Sequence, residues 1–104
     1  MIITNTETIA GKEITEVLGI ARGSTVRTRN VGRDFLAGLK NIVGGEIKGY
    51  TKLIADSRES AIERMIADAT SLGADAIVNV RFSTSQLMQG AAEIMAYGTA
   101  VKLK

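Results

Sequence analysis

The chain has 104 residues, with 13 Lys and Arg against 11 Asp and Glu for a net charge of +2, and it contains no Cys, no His and no Pro. Without Cys or His there is no disulfide frame, no thiol nucleophile, no histidine-based triad and none of the thiolate or imidazole ligands that zinc and copper sites use. A single domain over residues 1–104 is expected, large enough to bury about 60 to 70% of its unfolded surface, and the mild positive charge is too small to argue for nucleic-acid binding.

Met1 to Thr4 reads as a short strand. No positive leader precedes an apolar stretch, and no uncharged run approaches membrane-spanning length, so a soluble cytoplasmic protein with no membrane partner is expected. Gly11-Lys12-Glu13 forms a turn into a longer strand from Ile14 to about Val26. Ile14, Val17, Leu18, Ile20 and Val26 fall on both of its faces, which predicts cover on each side. The polar tract Arg27 to Arg33 follows, and then Phe35, Leu36, Leu39, Ile42 and Val43 recur at helical spacing over about three turns.

Gly44-Gly45 ends that helix, and a second one is expected from near Glu46 to Leu72. Ile47, Ile54, Ala61, Met65 and Leu72 keep a 3.6-residue stripe through it, widened by Tyr50, Leu53, Ile62, Ile66 and Ala69. Asp56 with Glu59 three residues on has the pattern of a helix start, but the stripe stays in phase, favouring one long helix ended by Gly73 as a left-handed cap. From Ala76 the chain alternates: Ala76, Val78, Val80 and Phe82 on one face, Ile77, Asn79, Arg81 and Ser83 on the other. Gln86 to Gly90 reads as a hairpin loop. The last strand, Ala92 to Leu103, carries Met95, Tyr97, Thr99, Val101 and Leu103 on one face and Ile94, Ala96, Gly98 and Ala100 on the other. Both faces ask for cover, one from the chain's own helix and the other from a neighbouring subunit. The expected class is α+β, a β-β-α-α-β-β subunit with a long helix on an antiparallel sheet.

Read in order, Gly11-Lys12-Glu13-Ile14, Arg33-Asp34, Gly44-Gly45-Glu46, Tyr50-Thr51, Arg58-Glu59-Ser60-Ala61, Gly73-Ala74-Asp75-Ala76-Ile77-Val78, Glu93-Ile94 and Tyr97-Gly98-Thr99-Ala100-Val101 resemble the YbjQ-like family. The resemblance covers nearly the whole chain. It implies a dodecin-subunit-like α+β protomer that assembles into a ring, a pentamer, under a heavy-metal-binding label with no established function. Asn79 stands where the family pattern often has a glycine, a departure that implies altered local packing rather than a different fold.

Arg27, Arg29 and Arg33, with Arg22 nearby, form the strongest basic cluster, and Arg27 and Arg29 would share a strand face. Repeated around a ring, the cluster could hold an anion, phosphate or acidic head group; the alternative is a solvated rim, or salt bridges to Asp34 and Glu46. The amides of Gly45 and Glu46 at a helix start could add to such a site, with Tyr50 one turn on, although a Gly-Gly break also serves as a plain turn. Glu59 and Glu63 are one turn apart beside Arg58 and Arg64 and read as a solvated face. Met65 and Met95 read as packing residues, leaving Met88 as a lone thioether. There is neither a Walker sequence nor a G-x-G-x-x-G, and the cofactor is left open. The favoured reading is a non-enzymatic homo-oligomeric module binding a small anionic ligand or ion at subunit interfaces. One alternative is a divalent or heavy-metal-ion binder on carboxylates and thioethers. The other is an enzyme relying on Asp34, Glu46, Tyr50 and Arg33 alone.

Overall fold

The computed structural model describes residues 1–28, 48–88 and 91–104. Within them lie β1 (Ile2–Ile3), β2 (Ile14–Thr28), α1 (Lys48–Ser71), β3 (Ala76–Met88) and β4 (Ala91–Leu103). The fold is α+β, with α1 packed on a four-stranded sheet of order β1-β3-β4-β2. The helix expected over residues 35–43 and the Gly44-Gly45 turn lie outside the described residues. No helix among the described residues is long and apolar enough to cross a membrane.

The long helix is continuous through Asp56–Glu59. Its contact line on the sheet is Ser57, Ala61, Met65 and Ala69, all fully buried and spaced four apart, with Ile54, Ile62 and Ile66 packed alongside. Two alanines and a serine in this line bring the helix close to β2. A Cβ built on Gly23 would stand 2.3 Å from the Met65 nitrogen and 2.5 Å from the Ala61 oxygen, so only glycine admits the helix backbone there. The helix ends as its sequence requires. Gly73 takes φ 81°, its amide donates to the Thr70 carbonyl at 3.0 Å, and the Ala74 amide reaches back to Ala69 at 3.1 Å, a Schellman closure open at low cost to glycine.

The sheet departs from the expected all-antiparallel form. β2–β4 and β3–β4 are antiparallel, but β1 lies parallel to β3, pairing Ile2 with Ala76 and Ile3 with Ile77. The sheet is therefore mixed. β3 also runs on to Met88, with Thr84 opposite Ile94, Ser85 opposite Glu93 and Gln86 opposite Ala92. The expected hairpin loop from Gln86 is thus strand as far as Met88, and residues 89–90 lie outside the described residues.

The register shifts at four points among the described strands, and two of these bulges decide which side chains share a face. In β3 the register shifts between Val78 and Arg81, and Asn79 adopts φ 53°, the left-handed region that asparagine tolerates better than most non-glycine residues. One extra residue moves the following side chains to the opposite face. Ala76 and Val78 stay on the side away from the helix, whereas Val80 packs into the helix-side core and Phe82 pairs with Ala96 on that side. The four do not share a face as expected. The N-terminal loop fits the bulge: the Asn79 amide donates to the Thr6 carbonyl and the Val80 amide to the Thr4 carbonyl, both at 3.0 Å. In β2 a shift between Val17 and Gly19, with Gly19 at φ 128°, places Leu18 against the helix-side core while Ile20 pairs with Thr99 on the other face.

The two faces differ in cover. On the helix side Ala21, Ile77, Ile94, Ala96 and Ala100 are buried. On the other side Ala76, Val78 and Val101 form a smaller core that Ile9, Ile14 and Leu103 close, and beyond it no described element covers the sheet. Val17, Ile20 and Val26 are 66%, 63% and 50% exposed, so among the described residues the cover expected for β2 is present on the helix side and incomplete on the other.

Candidate functional site

Of the expected anion-binding residues, Arg29, Arg33, Asp34, Gly45 and Glu46 lie outside the described residues, and Tyr50 is placed only by its backbone in the first turn of α1. Arg27 lies on the helix side of β2, opposite Ala92, and is half-buried. Its Nε donates to Ser57 Oγ at 2.6 Å. Ser57 Oγ in turn donates to the Leu53 carbonyl at 2.7 Å, and Thr25 Oγ1 donates to the Ser57 carbonyl at 3.1 Å. This buried polar knot fastens α1 to β2, since each group deprived of water has found a partner. Arg27 is committed there through its Nε.

Arg22 belongs to the opposite face. It pairs with Tyr97, while Arg27 pairs with Ala92 on the helix side, so the two arginines do not meet. The structural tie of Arg22 is through its main chain: its amide donates to an Asp68 carboxylate oxygen at 2.9 Å, and Arg64 Nη1 donates to the Ser24 carbonyl nearby. Side chains of α1 thereby occupy edge groups of β2 that would otherwise be open to another strand. The Arg22 side chain is exposed.

On the open face the register builds rows across three strands. Arg22, Tyr97 and Arg81 form one row, and Ser24, Met95 and Ser83 the next. Arg81 Nη1 is drawn toward the N-terminal loop, donating to the Asn5 carbonyl at 2.9 Å and to the Val80 carbonyl at 3.0 Å. Arg22 instead borders an open depression of about 370 Å³ shared with Ile20, Ser83, Met95 and Tyr97. This site combines one guanidinium, one aliphatic hydroxyl and a floor of aliphatic, thioether and aromatic side chains. Such a set can bind and orient a ligand, and the Tyr97 phenol is the group among the five that could also exchange a proton. The sequence singled out Arg22 only as a neighbour of the Arg27 cluster. What it lacked was the register that sets Ile20, Arg22, Met95, Tyr97 and Ser83 side by side.

Residues 1–104 match the family model described as "Putative heavy-metal-binding", the YbjQ family. The chain is 61% identical over 104 residues to a UPF0145 protein of Archaeoglobus fulgidus, covering 100% of this chain and 96% of that one. It is 59% identical over 103 residues to a UPF0145 protein of Methanosarcina acetivorans, covering 99% and 97%. Among solved structures it is similar to a Pediococcus pentosaceus protein of unknown function from the DUF74 family, with a TM-score of 0.65 and 16% identity over 100% of this chain and 98% of that one. That likeness speaks to the fold alone.

The sequence offers neither thiolate nor imidazole, and soft metals select such ligands. Met65 is sealed in the core at 0% exposure, and Met88 stands at the exposed end of β3. Among the described residues no three acidic side chains converge on one point.

Proposed function

The chain belongs to the YbjQ family over residues 1–104, and from that premise we propose that it is a non-enzymatic, homo-oligomeric binding module holding a small anionic ligand or ion at its subunit boundaries. The observation that carries this reading is the uneven cover of the sheet. One face is sealed by α1, whereas the other presents Val17, Ile20 and Val26 at half exposure or more, with Arg22 between them. Exposed apolar side chains grouped on one sheet face mark an interaction surface. A single arginine among them supplies the charge that an anion would meet. Neighbouring copies contact one another through the ends of the β2 face, at Val17 and Val26, and leave the depression beside Arg22 at the boundary. The ring, with five subunits as the family resemblance implies, repeats the site around its circumference.

The direct test is light scattering on the purified chain and on Val17→Asp. The substitution places a charge on an exposed side chain, so the fold is retained by circular dichroism, and the assembly is expected to dissociate. A Val17→Asp protein that keeps the wild-type mass would remove this face from the subunit contact.

A further inference from the structure

We infer that the depression beside Arg22 selects an amphiphilic anion, a carboxylate joined to an apolar body, over a bare inorganic anion; this rests on the anion-binding reading above and deepens it. Three of the five lining residues, Ile20, Met95 and the Tyr97 ring, present apolar surface, and the polar contribution is the Arg22 guanidinium with the Ser83 and Tyr97 hydroxyls. A phosphate ion would engage the arginine and leave the apolar floor wet. A neutral hydrocarbon would cover the floor and leave the guanidinium without a counter-ion.

The volume of about 370 Å³ lies at the small end of ligand sites. It suits a body the size of a medium alkyl chain or one aromatic ring. Guanidinium and carboxylate match as a planar fork with two parallel hydrogen bonds. Tyr97, 37% exposed, and Ile20, 63% exposed, offer the surface on which the apolar part would lie. The arrangement also sets an orientation. The carboxylate end meets Arg22 on β2, and the apolar body lies over Tyr97 on β4 and against Ile20.

The experiment is calorimetric titration of the full chain with acetate, butanoate, hexanoate and octanoate, with inorganic phosphate and octylamine as controls. Oligomeric mass is measured on the same samples. Affinity is expected to rise about two- to fourfold per added methylene as apolar surface is covered. Arg22→Gln is expected to weaken octanoate about tenfold or more, the loss typical of a charge-assisted contact. That variant keeps its fold, because the tie of Arg22 to Asp68 is made by the main-chain amide. Ile20→Ser is expected to flatten the chain-length dependence while leaving acetate binding unchanged.

Phosphate binding as tightly as octanoate would overturn the ligand class while leaving the anion module standing. Octylamine binding as tightly as octanoate would overturn the role of Arg22. If no anion of either kind binds, both the ligand class and the anion-binding reading fall. Variants that change the oligomeric mass and leave octanoate binding untouched would assign the depression to a second copy of the chain and overturn the inference.

Discussion

Gly23 lies directly beneath the backbone of Met65: a Cβ on Gly23 would come within 2.3 Å of the Met65 nitrogen, and Met65 itself is fully buried. The atoms it would strike are main-chain atoms of α1, which cannot rotate aside as a side chain can. Gly23→Ala must therefore lift the helix from β2. We expect it to cost ~1–3 kcal/mol, the range typical of overpacking. Urea or thermal unfolding of the two proteins at equal concentration checks this. An unchanged midpoint would mean that the helix does not rest on Gly23.

The Arg27–Ser57 contact makes a second expectation. Ser57 Oγ accepts from Arg27 Nε and donates to the Leu53 carbonyl at a site with no solvent access. Ser57→Ala leaves the Arg27 donor short of a partner and is expected to destabilise by about 1–3 kcal/mol. Combining it with Arg27→Met should recover part of the loss, because the orphaned donor is gone. Strict additivity in this double-mutant cycle would show that the two side chains are not coupled.

At Asn79 the backbone, not the side chain, decides. With φ at 53°, Asn79→Gly is expected to be neutral or mildly stabilising, whereas Asn79→Val should cost ~1–3 kcal/mol because a β-branched side chain fits this region poorly. The measurement is the shift in melting temperature of each variant. Equal stability of the Val and Gly proteins would contradict the bulge.

Metal removal supplies a fourth expectation. With no thiolate or imidazole in the chain, the melting temperature should be the same before and after exhaustive chelation. Added zinc, copper or cadmium at equimolar concentration should not raise it. A rise reversed by chelator would restore the heavy-metal reading and point to carboxylate or thioether ligands.

The parts of the fold legible in the sequence are those set by local periodicity and local backbone demand. The stripe through Ala61, Met65 and Ala69 marks the helix face, and Gly73 marks its end because the left-handed cap needs glycine. Buried Ser57 escaped notice because a serine in the contact line carries no apolar signal; its spacing of four from Ala61 was the available clue. The bulges at Asn79 and Gly19 were not legible, since alternation is counted residue by residue and an inserted residue reverses every later assignment. That reversal separates Phe82 from Val78 and sets Ile20 across the sheet from Leu18. Two-residue β1 is parallel to β3 by pairing over more than seventy positions of sequence, which no local pattern encodes. The candidate site was missed for the same reason. Arg22 and Tyr97 become neighbours through register, whereas the arginine nearest in sequence, Arg27, turns to the helix and bonds Ser57.

The most direct measurement is native mass spectrometry of protein purified without added ligand. A homo-oligomeric binding module requires a ring mass at a multiple of the 11.0 kDa subunit, five by family resemblance, carrying extra small-molecule mass that Arg22→Gln protein lacks. A bare 11.0 kDa monomer across the working concentration range would contradict both the assembly and the site at its boundaries.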